Sequence, residues 1–211
     1  MPQDPSARRI LGPACLAEGA AWLLRAEPRF APALAEPLPP RLKPAGFAAL
    51  LEAIVGQQVS TASAAAITAR LVAAGLNDPA RAAAATEDEL RACGLSRPKV
   101  RYVSALARSG LDYAALQDLP VAEAVARLVA LPGIGRWTAE IYALSCLGHA
   151  DAFPAGDLAL QEAARVLFEL PARPDERSLR ARAAAWSPWG SVAARALWVY
   201  YRQIRGREGI R

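Results

Sequence analysis

The sequence predicts an all-α protein, and two observations support this fold class. From Phe47 onward, apolar residues recur at helical spacing in nearly every segment. No convincing alternation of apolar and polar residues extends beyond about four positions, so no strand is predicted. Apolar residues make up 54% of the 211-residue chain, and many of them are alanine, a strong helix former. We expect about eight to ten helices.

The N-terminal region is predicted to hold one helix and a connection. Residues 1–13 predict a loose leader, and residues 14–27 carry apolar positions at helical spacing. Prolines then exclude a helix interior and predict an extended connection. These prolines are Pro28, Pro32, Pro37, Pro39, Pro40 and Pro44.

The remaining helices follow from apolar periodicity and from glycines that end it. Thr86 precedes acidic residues as a helix cap would, and Gly75 and Gly94 close two helices. The predicted helices cover residues 47–58, 61–75, 85–94, 97–109, 121–133, 136–148, 157–169, 175–186 and 189–204.

Composition excludes several classes of protein. No apolar run reaches the roughly 20 residues that span a bilayer, and no signal-peptide core follows the N-terminus. We therefore expect a cytoplasmic protein without membrane contact. A net charge of +5 suits a polyanionic partner but does not by itself establish one. Three scattered cysteines, without CxxC spacing, predict neither a zinc site nor an iron–sulfur cluster. The single histidine, His149, follows Gly148 and is predicted to be a solvated loop residue.

The segment LPGIGRWTAEIYAL, Leu131 to Leu144, predicts a hairpin between two helices. Gly133 and Gly135 permit unusual backbone angles and leave the approach path free of side chains. The first N–H groups of the second helix then offer a phosphate seat, beside the charge of Arg136. Ile134 is expected to plug the hairpin into the two helices. An ordinary tight turn between helices is the alternative explanation.

This hairpin segment, followed by FPAGDLAL, resembles the helix-hairpin-helix DNA glycosylase superfamily, and most of all its 3-methyladenine DNA glycosylase II branch. Three further segments are similar to that branch: IVGQQVSTASA, GLSRPKVRYVSALA and WSPWGSVAARALW. The resemblance covers residues 45–204. It implies two helical lobes with an active-site cleft between them in residues 45–211. Residues 1–44 would pack on this core, and the N-terminal β-rich lobe of longer relatives is expected to be missing.

The resemblance implies that Asp157 is the catalytic carboxylate. Breaking an N-glycosidic bond builds positive charge on the deoxyribose, and a carboxylate near C1′ stabilises that charge. An aspartate before a helix is also a routine N-cap, and both roles can coexist. Asp151, the other nearby acid, does not match the motif and is expected to be solvated.

The resemblance also implies an aromatic pocket, because a cationic alkylated base stacks well on an electron-rich ring. Trp137 and Trp198 match pocket tryptophans of the branch, and Tyr142 is a less certain candidate. Trp186 and Trp189 are expected to belong to the helix core instead.

Base flipping requires a side chain that fills the vacated position in the duplex. Gln58 matches the wedge position of the branch, with Gln57 beside it, although a polar pair at a helix end is the alternative. The residues expected to contact DNA are Gln57, Gln58, Gly133, Ile134, Gly135, Arg136 and Thr138. No metal bound by side chains and no cofactor is expected, while the resemblance allows a monovalent cation on backbone carbonyls of the hairpin.

The function implied is that of a monofunctional glycosylase that excises alkylated bases from double-stranded DNA, acting as a monomer at the nucleoid. Strand-cutting relatives place a lysine where Trp137 stands, so hydrolysis by water is expected. The alternatives are a non-catalytic helix-hairpin-helix module that binds DNA and a glycosylase for other damaged bases.

Overall fold

The structure is a computed structural model that describes residues 8–208, with side chains up to residue 206. Twelve α-helices lie in this described part of the chain. In order they are α1 (Pro13–Ala26), α2 (Phe47–Gly56), α3 (Thr61–Ala73), α4 (Pro79–Ala84), α5 (Glu87–Ala92), α6 (Arg97–Arg108), α7 (Tyr113–Asp118), α8 (Val121–Val129), α9 (Arg136–Ser145), α10 (Leu158–Leu167), α11 (Glu176–Ala183) and α12 (Gly190–Glu208). Short 3₁₀ helices cover Pro28–Leu34 and Ala184–Trp186.

The all-α fold class is confirmed, since the described residues contain no strand and only an isolated bridge between Arg9 and His149. Helices α4 and α7 were not predicted: each has six residues, too few to display a period of 3.6, whereas α5, equally short, was predicted from its Thr86 cap and acidic first turn. Helices α4 and α7 each begin instead at an aspartate N-cap: Asp78 accepts from the Arg81 N–H, and Asp112 from the N–H groups of Ala114 and Ala115.

The chain divides into two compact units. Within the described part, residues up to Leu42 and residues from Ala143 onward form the first unit, and Lys43–Tyr142 form the second. The sequence placed a boundary near residue 44, and the contacts add a second division after Tyr142, inside α9. None of the described helices is long and apolar enough to cross a membrane.

The second unit is organised around α6, which packs against α2, α4 and α5. Its buried side chains are Val100, Val103 and Leu106, spaced by three residues so that they share one face. The exposed face carries arginines. The amphipathic pattern of this helix therefore explains why it was predicted correctly and why it lies at the centre of its unit.

An aromatic cluster forms the core of the first unit. The ring of Trp186 lies 5.2–5.6 Å from the rings of Phe30, Phe153 and Phe168, within the range in which aromatic pairs attract. Trp186 and Trp189 are both buried, which confirms that they belong to the core.

The prediction of an extended connection after α1 was wrong for its first part, whereas residues 35–46 form neither helix nor strand. Pro28–Leu34 forms a 3₁₀ helix with Pro28 in its first turn and Pro32 inside. Proline is tolerated in a first turn, and this short helix places Phe30 in the core with no exposed surface.

A close approach of α1 and α12 explains the glycine within α1. A Cβ added to Gly19 would lie 2.6 Å from Trp189 Cε3 and 2.6 Å from Val192 Cγ2. Only a residue without a side chain fits this contact, so Gly19 is required for packing rather than for a turn.

His149 is buried, so the prediction of a solvated histidine was wrong. Its side chain is 1% exposed, its Nδ1 lies 2.7 Å from a guanidinium nitrogen of Arg9, and its carbonyl accepts a hydrogen bond from Ser191 Oγ. Burial, reinforced by the charge of Arg9, lowers the pKa of His149 to about 4. The imidazole is therefore neutral in the folded protein near pH 7.

Candidate functional site

The hairpin between α8 and α9 is closed by its own backbone. The N–H of Ile134 donates to the carbonyl of Leu131 at 3.1 Å, and Ile134 itself is buried. Gly133 has a φ of +83°, and a Cβ there would overlap the ring of Tyr102 and lie 2.7 Å from Tyr102 Cβ. Gly135 has no atom within 4 Å of an added Cβ. Gly133 is thus required by the fold, whereas Gly135 keeps a surface open.

Helix α9 begins directly after Gly135, so the positive end of its dipole lies at the hairpin. Arg136 is exposed, and its Nε donates to Glu140 Oε1 at 3.0 Å. The carboxylate of Glu140 is buried, so this ion pair holds the guanidinium near the start of the helix. Thr138 is buried, which leaves its backbone rather than its hydroxyl for contact with a ligand.

The two glutamines between α2 and α3 differ sharply in their surroundings. Gln57 is partly buried, and its Nε2 donates to the carbonyl of Gly133 at 2.8 Å. Gln58 is exposed and has a left-handed backbone with a φ of +55°. The structure therefore brings Gln57 together with the hairpin and leaves Gln58 at the tip of the turn.

Two residues of α6 support these segments and were not singled out from the sequence. Lys99 Nζ donates to the carbonyls of Val55 and Gln57, each at 2.7 Å, and Tyr102 lies against Gly133. Both residues occur in the segment GLSRPKVRYVSALA that carried the resemblance. The segment indicated their importance, but the partners of Lys99, 42 and 44 residues away along the chain, and the contact of Tyr102 with Gly133 could not be inferred from it.

Asp157, in the first unit, is the N-cap of α10. Its Oδ1 accepts from the N–H groups of Ala159 at 2.9 Å and Leu160 at 3.1 Å. The preceding loop is fixed as well, because buried Gln161 donates from Nε2 to the carbonyl of Ala155 at 3.0 Å. The carboxylate is only partly buried. The cap therefore orients the carboxylate at the positive end of a helix dipole, which is compatible with a second role for it.

Asp151 is not solvated as predicted. Its Oδ2 accepts from Ser187 Oγ at 2.7 Å, and its Oδ1 accepts from the N–H of Gly190 at 3.1 Å. Since Gly190 is the first residue of α12, Asp151 satisfies one of the N–H groups that a helix start leaves without a partner inside the helix. Asp151 is thus a structural residue.

The three predicted pocket aromatics have different environments. Trp137 is 47% exposed on the first turn of α9, an unusual exposure for so large an apolar ring. Tyr142 is buried, and its hydroxyl accepts from the N–H of Gly46 at 2.7 Å. Trp198 lies on α12 in the first unit and is partly exposed. Their pocket role stays a prediction.

Among the residues that the structure describes, no group of three or more His, Cys, Asp or Glu side chains could hold a metal. The predicted monovalent cation would use backbone oxygens of the hairpin. The carbonyls of Leu131 and Gly133 already accept one hydrogen bond each, and a carbonyl oxygen has two lone pairs. Each of these two oxygens therefore has a lone pair left that could bind a cation. Cation binding at the hairpin stays a prediction.

Comparison with known proteins defines the class to which this site belongs. Residues 51–188 match the HhH-GPD superfamily of base excision DNA repair proteins. The chain belongs to this family.

Two solved structures and one curated relative are informative. DNA-3-methyladenine glycosidase from Bacillus halodurans is 28% identical, with a TM-score of 0.78 and 94% of both chains covered. The 3-methyladenine DNA glycosylase Mag1 of Schizosaccharomyces pombe, in complex with abasic DNA, is 25% identical, with a TM-score of 0.69 over 87% of this chain and 95% of that one. The probable bifunctional transcriptional activator/DNA repair enzyme AlkA of Mycobacterium tuberculosis is 40% identical over 161 residues, which is 70% of this chain and 32% of the relative. This chain therefore spans about a third of the length of that relative.

Proposed function

We propose that this protein is a monofunctional DNA glycosylase that flips alkylated bases, of the 3-methyladenine and 7-methylguanine type, out of duplex DNA and excises them by hydrolysis. Membership of the HhH-GPD family supports the reaction class. The coverage of 94% of the B. halodurans glycosidase, which is named for 3-methyladenine, supports the choice of alkylated bases.

The observation that carries the proposal is the carboxylate of Asp157 at the N-terminus of α10. When the bond between C1′ and the base nitrogen breaks, both bonding electrons leave with the base and the sugar becomes positive. Asp157 stabilises this cation and orients the water that attacks C1′. Because alkylation already gives the base a positive charge, the base leaves as a neutral group and needs no strong general acid.

The second unit supplies contacts to DNA. The start of α9 binds a backbone phosphate through its N–H groups and its dipole. Gln58 enters the duplex where the flipped base has left, and the exposed ring of Trp137 belongs to the surface that receives the base. Because a single chain contains all of these residues, we propose that the protein acts as a monomer. We also propose that it is located at the nucleoid, with its DNA substrate.

Substitution of Asp157 by asparagine tests the proposal. Asparagine is as good an N-cap as aspartate, so Asp157→Asn should keep the thermal stability and lose only the charge. We expect release of 7-methylguanine from methylated duplex DNA to fall by about 10²–10³-fold, the loss typical when a group that stabilises transition-state charge is removed.

Asp175 provides a matched control, because it caps α11 in the same way, by accepting from the N–H of Ser178 at 2.7 Å. Asp175→Asn should excise at the wild-type rate. Excision by Asp157→Asn within a few-fold of wild type would show that another group stabilises the sugar. A wild-type protein that binds methylated duplex without releasing base would favour the non-catalytic DNA-binding module.

A further inference from the structure

The first turn of α6 holds the end of α2. Lys99 donates from one ammonium group to the carbonyls of Val55 and Gln57, both at 2.7 Å. The last carbonyls of a helix have no partner inside the helix and carry its partial negative charge, so a cation suits them. Lys99 is partly buried, and desolvation lowers the pKa of its ammonium. The two carbonyls replace the water that this ammonium has lost.

Gln57 is held at a second point by the hairpin. Its side-chain amide donates to the carbonyl of Gly133 at 2.8 Å, and Gly133 packs against Tyr102. Lys99 and Tyr102 are three residues apart on α6, so they project from the same side of the helix. This side of α6 therefore supports both the turn after α2 and the hairpin before α9.

Gln58 follows Gln57 in a backbone conformation that is unfavourable for a residue with a side chain. At a φ of +55° the backbone of a non-glycine residue is strained, and such a conformation persists only where the surroundings hold it. The carbonyl of Gln57, which Lys99 binds, belongs to the peptide bond that joins Gln57 to Gln58. The lysine thus fixes the peptide plane from which Gln58 projects.

We propose that Lys99 is a positioning residue that presents Gln58 to the duplex by fixing the Gln57–Gln58 peptide bond. The functional part of this inference rests on the proposed function, in which Gln58 fills the place of the flipped base. Lys99 itself touches neither the sugar nor the base. Its removal should loosen the turn in the free protein and slow base flipping on DNA.

Hydrogen–deuterium exchange of the free protein tests the first consequence. In Lys99→Met, which keeps the length and removes the charge, the amides of segment 56–60 that close the end of α2, among them the Gln57 N–H that donates to the carbonyl of Ile54, should exchange about tenfold faster or more, because hydrogen bonds from a charged donor are stronger than neutral ones. Lys43→Met is the matched control, because the ammonium of Lys43 is exposed and lies 3.6 Å from Glu52. It should leave exchange in segment 56–60 unchanged. Unchanged exchange in Lys99→Met would overturn the proposal.

Base flipping is measured with the fluorescent base 2-aminopurine placed beside the lesion. The fluorescence of 2-aminopurine rises when the damaged base leaves the base stack. At saturating protein, Lys99→Met and Gln58→Ala should each slow the rise about tenfold. The double variant should be no slower than Gln58→Ala alone, because both changes remove one function. Losses that multiply in the double variant would show that Lys99 acts by another route and would overturn the proposal.

Two further measurements keep the outcomes separate. Lys99→Gln keeps a neutral donor and should lie between wild type and Lys99→Met in both assays. If Lys99→Met does not fold, Lys99→Gln alone is compared with wild type in both assays. A wild-type protein that is inactive on methylated DNA would refute the proposed function, while the exchange experiment would still decide whether Lys99 holds the turn.

Discussion

Replacing Gly133 by alanine should destabilise the protein through two separate effects. At a φ of +83°, a side chain adds about 1–2 kcal/mol of backbone strain. The new methyl group would also overlap Tyr102, and forcing extra volume into a packed site costs about 1–3 kcal/mol. Together these effects predict a loss of about 2–5 kcal/mol, which in a protein of this size lowers the Tm by about 4–20 °C.

Gly135 offers a control two residues away. It has no positive φ and no atom within 4 Å of an added Cβ, so Gly135→Ala should melt within about 2 °C of wild type. The proposed DNA contact predicts that, among the folded proteins, Gly135→Ala loses more affinity for DNA than Gly133→Ala does. Gly135→Ala should weaken binding to every duplex alike, because the methyl group enters the approach path of a phosphate.

A third variant separates overlap from strain. In a Tyr102→Ala background, the ring that the new methyl group meets is gone and only the contact with the Cβ of residue 102, at 2.7 Å, is left, so the penalty of Gly133→Ala should fall toward the backbone strain of about 1–2 kcal/mol. Thermal and urea unfolding of the four proteins give both terms. A Gly133→Ala protein as stable as wild type, or a penalty that Tyr102→Ala leaves unchanged at about 4 kcal/mol, would refute the reasoning.

Three other predictions concern pH, the pocket and the reaction. The pKa of His149 is about 4 in the folded protein and about 6.5 when unfolded, so the unfolded chain binds more protons between these values. This histidine should lower stability by about 3 kcal/mol from pH 6.5 to pH 4, and the fall measured for His149→Gln should be smaller by about that amount, leaving the share of the carboxylates. Trp198→Ala should impair excision of cationic 7-methylguanine more than that of neutral hypoxanthine, by about 0.5–2 kcal/mol, if its ring faces the charged base, and equal losses would indicate packing alone. Under the proposed function, wild-type protein incubated with lesion DNA and borohydride should form no covalent adduct, because the indole of Trp137 cannot serve as the amine nucleophile that a strand-cutting glycosylase uses; any borohydride-dependent adduct would contradict this.

Local sequence was sufficient where local interactions decide the structure. The long helices followed from apolar periodicity, and the hairpin from Gly133 and Gly135 within a motif of several residues. The motif also drew attention to Asp157, and its capping geometry is a local interaction that any aspartate before a helix can make.

Distant contacts account for what the sequence did not predict. His149 follows a glycine and looks like a loop residue, yet it is buried and contacts Arg9, which lies 140 positions away along the chain. Asp151 was expected to be solvated because it does not match the motif, and its partners, Ser187 and Gly190, lie 36 and 39 positions further along the chain, where local sequence could not indicate them. The role proposed for Lys99 likewise depends on the carbonyls of Val55 and Gln57. Every residue has a backbone carbonyl, so the sequence does not indicate which carbonyls a lysine will bind.

The discontinuous first unit has a consequence for synthesis of the chain. Its aromatic core joins Phe30 to Phe168 and Trp186, and the continuous second unit, Lys43–Tyr142, is made between them. Because translation is slow compared with the closure of local contacts, the second unit is expected to fold while α12 is still inside the ribosome. Phe30 and α1 would then remain without their partners until Trp186 and α12 emerge. Although Phe30 and α1 are made before the second unit, they are thus expected to fold after it, and a nascent chain arrested before Trp186 should expose Phe30 to chaperones and proteases.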